Sequence, residues 1–182
     1  IMAFSTINKS SLYQNTVLYT GNATARSITG VGFQPDLLWI KDRTNANSHM
    51  LADAVRGATK YLVVDGNYAE STDSNRISAF DSDGFSIGTN NNVNQSLAND
   101  VAWNWKAGTT SGITTNGSTT ITPSSYSFNQ TSGMSVIAYT GNSTNDGQKV
   151  PHGLGATPAF IIVKQLGGTG QWSCYPFVER AV

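Results

Sequence analysis

The chain is poor in the residue types that do most enzyme chemistry. A single cysteine, Cys174, excludes an intrachain disulfide, so packing and hydrogen bonding must hold the fold. Two histidines, His49 and His152, stand far apart and form no metal-spaced pair. Charge is scarce: 11 Lys and Arg balance 11 Asp and Glu, and only 12% of residues are charged. That leaves no basic groove for nucleic acid and no polybasic patch for a lipid surface. No apolar run approaches the roughly 20 residues of a spanning helix. The opening residues IMAFSTINKSSLY lack the charged-then-apolar order of a secretion signal. These absences predict no cofactor, no metal, no nucleic-acid partner and no membrane insertion.

What is abundant is small and polar. Ser, Thr, Asn and 18 Gly dominate, where a helical domain would carry Ala, Leu, Glu and Lys. Short alternating segments at 16–20, 36–41, 48–55, 61–64, 84–88, 101–106, 118–122, 135–140 and 159–164 read as strands. Turn pairs separate them: Asp65-Gly66, Asp83-Gly84, Asn116-Gly117 and Gly167-Gly168. Strands this short, with turns this frequent, predict an all-β sandwich. The segment 50–61 also has helical spacing at Leu51, Ala54, Val55 and Ala58, so a helix is expected only within 56–61.

The chain also repeats itself. VLYTGN at 17–22 returns as IAYTGN at 137–142, and GVGFQPDLLWIK returns as GLGATPAFIIVK. Tyr19 and Tyr139 are 120 positions apart, Lys41 and Lys164 are 123 apart, so the second copy has a loop three residues longer. Continuing the alignment sets HMLADAVRG against WSCYPFVER and puts Pro176 opposite Asp53, which favours strand over helix there. Residues 1–108 read as one complete sandwich and 109–182 as the start of a second, incomplete one. The missing continuation suggests a longer tandem array. The Ser/Thr-rich stretch 109–133 holds Ile113, Ile121, Tyr126 and Phe128, and is expected to contribute strands rather than a loose linker.

VLYTGN, FQPDLLWIKDRTNANSH, AVRGATKYL, FDSDGFSIG and VAWNWKAG, in that order, resemble a tandemly repeated domain of virion and tail-fibre-like proteins of marine bacteriophages. The resemblance implies a β-sandwich of the concanavalin or SPRY kind, located on a phage particle, and carries no catalytic residues over.

Individual motifs are weak. Gly84-Phe85-Ser86-Ile87-Gly88 fits G-x-S-x-G, but alternation makes Ser86 a strand residue, and the following TNNNVNQS is expected not to be helical. Asp81 and Asp83 open like a calcium loop, yet Asn92 stands where a bidentate Glu belongs, so a turn is the simpler expectation. Trp39, Lys41 and Arg43 share one strand face, and Trp103 and Trp105 share another. Such aromatics could hold sugar rings, but the simplest reading places them in the core, since Ile162 takes the Trp39 position in the second copy. His49 aligns with Trp172 and is expected to pack against aromatics, while His152 is expected in a turn.

Two loops, 41–49 and 89–100, are rich in donors and acceptors. If the sandwich brings them to one end, Asp42, Arg43, Asn45, Asn47, Asn91, Asn92 and Asn94 would form a polar surface suited to hydroxyl-rich ligands. The expected function is a non-enzymatic virion component, a tail-fibre, spike or adhesin domain. It would engage host-surface glycan or protein, contact other virion proteins and assemble as a homo-oligomer, a trimer. The alternative is a purely architectural virion domain without ligand. A polysaccharide-cleaving enzyme ranks last, because no pair among the acidic residues announces acid/base geometry.

Overall fold

A computed structural model describes residues 7–115, 117–144 and 147–176. Asn116 and the end of WSCYPFVER lie outside the described residues, so the expectations there stay untouched. After a 3-10 turn at Ser10–Leu12, thirteen strands and one short α-helix follow in order among the described residues. They are β1 (Gln14–Thr20), β2 (Arg26–Thr29), β3 (Leu37–Asp42), β4 (Met50–Asp53), β5 (Lys60–Val63), β6 (Ser71–Thr72), β7 (Ile77–Asp81), β8 (Gly84–Ile87), α1 (Asn91–Asn94), β9 (Asn99–Trp105), β10 (Ser125–Asn129), β11 (Met134–Ala138), β12 (Phe160–Val163) and β13 (Ser173–Pro176). The fold is all-β, as composition predicts.

The first repeat is a two-layer antiparallel sandwich. One sheet runs β1-β9-β3-β4-β5-β6, the other β2-β8-β7. Alternation along β3 sends Leu38 and Ile40 inward, where they meet Ala102 of β9, Met50 and Ala52 of β4, and Ile28, Ile77, Phe85 and Ile87 of the opposite sheet. Each large apolar side chain buried this way contributes roughly 1.5–3 kcal/mol. One of the repeated glycines has a steric reason. A Cβ on Gly21 would stand 2.1 Å from the Gln95 carbonyl oxygen, beside α1, so the close approach of β1's end to that loop admits only hydrogen.

Several expectations change. Asn91–Asn94 form one helical turn, with the Asn90 side chain accepting from the Asn92 backbone N–H at 3.0 Å, so TNNNVNQS does hold a helix. No helix forms within 56–61: Gly57 has a φ of 104°, and Arg56 is drawn back to Asp53 at 2.5 Å and Glu70 at 3.0 Å, making turns instead. The segment 118–122 is not a strand. Its Thr120 and Ile121 N–H groups both donate to the Lys149 carbonyl at 3.2 Å, a loop-to-loop clasp over buried Ile121. The tryptophans are not in the core. Trp39 and Trp103 pair across β3 and β9 on the opposite face of the sheet, because the inward parity is taken by Leu38, Ile40 and Ala102.

The second copy repeats the first locally. β12 pairs with β13 in the register of β3 with β4: Phe160 faces Pro176 as Leu37 faces Asp53, and Val163 faces Ser173 as Ile40 faces Met50. Thr24 donates its N–H to the Asn22 side-chain oxygen at 2.9 Å, and Thr144 does the same to Asn142 at 3.2 Å. Ala23 and Ser143, between those partners, share left-handed φ values of 56° and 58°. The surroundings differ. β10-β11 and β12-β13 are separate two-stranded sheets, and β10 leans on the first repeat through buried Asp36. The Asp36 carboxylate accepts from the Ala107 N–H and the Ser127 hydroxyl, each at 2.8 Å.

One glycine of each copy offers a matched test. Gly141 occupies the Gly21 position, but nothing lies within 4 Å of a Cβ placed there. Gly21→Ala should lower stability by about 2 kcal/mol or more, whereas Gly141→Ala should stay within about 0.5 kcal/mol, both read by denaturant unfolding. Equal effects would contradict the described contact.

Candidate functional site

β3 delivers Asp42 to the end of the sandwich, and loop 43–49 folds over its carboxylate. The Thr44 and Asn45 N–H groups donate to one oxygen at 2.7 and 2.9 Å, and the Asn45 and Asn47 side-chain amides donate to the other at 2.9 and 2.7 Å. Burial pushes the Asp42 carboxyl up, but these hydrogen bonds outweigh it and hold the group below the usual carboxylate range. Lys41 reaches back to the Asn45 and Asn47 carbonyls at 3.2 and 2.7 Å, fixing the same loop from the other side.

The second polar loop meets the first. The Asn47 amide also donates to the Asn91 carbonyl at 3.1 Å and the Gln95 side-chain oxygen at 3.0 Å, and Asn92 donates to the Ser48 carbonyl at 3.4 Å. Arg43 and Asn99 are tied by a 2.7 Å backbone bond, and the Asn99 N–H donates to the Thr44 hydroxyl at 2.9 Å. Of the seven residues singled out in the sequence, Arg43 and Asn91 are exposed, and Asn45, Asn47 and Asn92 are half-buried. Asp42 and Asn94 are fully buried and face no solvent. Asn94 is an internal tie: its side chain donates to the Thr24 and Gly88 carbonyls at 2.8 and 2.7 Å and accepts from the Asn22 N–H at 2.9 Å.

Beside this rim lies a half-buried aromatic patch on the outer sheet face. The Trp39 and Trp103 rings meet edge to face, 5.8 Å between centroids, and the Trp39 indole N–H donates to His49 Nδ1 at 3.1 Å. Burial, with the Lys41 ammonium nearby, holds the His49 pKa below its ordinary value, which suits an acceptor nitrogen. The patch joins the rim because His49 ends the loop and Lys41 anchors it. Asp83 and Asp81, weighed above as calcium ligands, serve the fold. Asp83 accepts from the Gly30 and Gly32 N–H groups at 3.1 and 2.6 Å, and Asp81 accepts from Ser86 at 2.7 Å. Ser86, a strand residue, also contacts Ser27 at 2.9 Å rather than a histidine.

One group beneath the rim was not singled out. Asp100 sits on β9 directly opposite Asp42, fully buried, with both carboxylate oxygens lacking a hydrogen-bond partner among the described residues. Its signal was available, since Asp100 shares parity with the inward Ala102 and Asn104. Burial, and next the Asp42 charge, push its pKa to about 7, against the opposing pull of Lys41 and Arg26. The Tyr19 hydroxyl, raised mainly by burial and then by Asp100, donates to the Val93 carbonyl at 2.7 Å.

Linkage gives the sign. A carboxyl with a raised folded pKa favours the protonated folded state, so its stabilising share is full below about pH 4 and is lost as pH rises through 7. Thermal stability of the native chain should therefore fall between about pH 4 and about pH 7, while Asp100→Asn should flatten that slope and gain on the order of 2 kcal/mol at the upper end. An unchanged slope in the variant would show that Asp100 does not carry it. Asp42 works oppositely, its contribution fading only as pH drops below the normal carboxylate range.

Comparison with known proteins adds one finding. No curated protein and no solved structure matches the chain. A family model described as "Domain of unknown function (DUF7483)" matches residues 9–177, and the chain belongs to that family.

Proposed function

We propose that this chain is a non-catalytic adhesive module of a phage particle, a tail-fibre, spike or adhesin domain that engages a host-surface glycan or protein. The observation that supports this reading is the meeting of loops 41–49 and 89–100 at one end of the sandwich, with Arg43 and Asn91 exposed and Asn45, Asn47 and Asn92 half-buried on one rim. Amide and guanidinium groups on a rigid base meet hydroxyl-rich ligands as donors and acceptors, and the adjoining Trp39–Trp103 pair offers an apolar surface for a sugar face. On this reading the partners are host-surface glycan or protein and neighbouring virion proteins, and the working form is a homo-oligomer, a trimer in the fibre setting. Each module binds weakly and gains strength through copy number.

A second reading, an architectural virion domain without ligand, is favoured by a specific feature. Asp42 and Asn94 spend their polar atoms inside the fold, and Asn47 bonds across three partners, so much of the loop polarity is structural.

Adsorption to host cells separates the two. Arg43→Ala with Asn92→Ala should reduce adsorption about tenfold with the melting temperature nearly unchanged, because neither side chain supports the core. Unaltered adsorption would favour the architectural reading. A monovalent module binding glycan at about nanomolar Kd would contradict the weak-module expectation.

A further inference from the structure

The β12-β13 hairpin is built to the register of β3-β4 yet lives in a different environment. Leu38 of β3 is 0% exposed, and its counterpart Ile161 is 44% exposed. Ala52 of β4 is 1% exposed, and its counterpart Tyr175 is 63% exposed. Phe160 and Ile162 are exposed as well, giving a short apolar hairpin open on its surface. The local fold is nonetheless that of the first copy. The Lys164 ammonium donates to the Gly168 carbonyl at 3.2 Å, as Lys41 does to Asn45, and Gly153 and Gly155 repeat the left-handed φ of Gly30 and Gly32. The hairpin is therefore formed, not collapsed around its apolar residues.

What covers such a hairpin is drawn in the first repeat. Residues 77–105 are one continuous stretch carrying β7, β8, α1 and β9. Its Phe85 and Ile87 share the core with Leu38 and Ala52, its β9 runs antiparallel along the free edge of β3, and its Gln95 carbonyl closes on Gly21. At all three places the second copy, among the described residues, presents the receiving surface open: Ile161 and Tyr175 on the face, β12 at the edge, and Gly141 with nothing near its Cβ position. An uncovered strand edge offers unpaired N–H and C=O groups, and a complementary strand satisfies them while burying the apolar face.

We infer that the β12-β13 hairpin is the receiving half of a strand-complementation interface whose partner is a segment of the same repeat type, carrying the pattern of residues 77–105. The partner strand lies antiparallel to β12, as β9 lies to β3. Its β8-type phenylalanine and isoleucine cover Ile161 and Tyr175. The interface requires backbone pairing and apolar burial together, so it selects a β-segment of matched alternation over a generic hydrophobic peptide. This inference is independent of the adhesive reading.

The test adds a synthetic peptide of residues 77–107 to the whole chain and follows hydrogen exchange. The expected result is slowing of amide exchange in Phe160–Val163 by about tenfold or more, with Leu37–Asp42 unaffected. Ile161→Asp, at a residue already in solvent, should abolish that slowing and leave the first repeat's tryptophan fluorescence unchanged. No slowing at saturating peptide would overturn the inference, as would slowing that survives Ile161→Asp or follows equally from a scrambled peptide. Protection of β12 that grows with protein concentration in the absence of peptide would overturn it in favour of self-association.

Discussion

Everything in the first repeat depends on β9 lying between β1 and β3. It is the last strand to be made and it pairs with the first, Gln14 facing Trp105 and Thr20 facing Asn99, while its other edge pairs with β3 along Leu37 to Asp42. The entropic cost of that long closure is offset by two full hydrogen-bonded edges and by the inward side chains it aligns. The same placement sets Asp100 against Asp42, so the central strand that closes the sheet also creates its least comfortable carboxylate. The pairing that positions Asp42 for the polar rim is thus the pairing that buries Asp100.

Within the rim, the side chains that hold the loop and those that face outward divide along one segment. Asp42 is the organiser, with four donors folding 43–49 around it, and Asn47 spans from that carboxylate to the second loop. The side chains that do this work are withdrawn from solvent. Those left outward, Arg43 and Asn91 above all, stand on a base already ordered by these bonds. That separation lets the outward positions change without disturbing the cradle beneath them.

Much of the fold was legible because alternation and turn chemistry are local. Leu38 and Ile40 declare a buried face, and Asp83-Gly84 declares a tight hairpin. The internal repeat extended this reach, since Pro176 opposite Asp53 argued for β4 over a helix that spacing alone allowed. What stayed hidden depends on partners distant in sequence. Which face of the large sheet is covered cannot be read from Trp39 itself, so the core assignment failed. β2 and β7 were not singled out, because each is legible only beside β8. The loop pairing behind the candidate site was posed in the sequence as a condition, and only the third dimension could supply Asn47 between Asp42 and Asn91. Asp100 went unnoticed because a carboxylate at an inward parity reads as a strand end until its neighbours are known.

The Asp36 clasp between the first repeat and β10 gathers its bonds around one side chain. One carboxylate holds the Ala107 backbone and the Ser127 hydroxyl, and Ser127 in turn accepts from the Gly108 N–H at 2.7 Å. Two bonds meet on that one buried carboxylate and a third rests on the hydroxyl it holds, so a single substitution at Asp36 removes the common support of all three. Around it the Asn129 side chain donates to the Ala107 carbonyl at 3.1 Å and Thr109 pairs with Phe128, so Asp36 is the buried centre of a wider set of contacts.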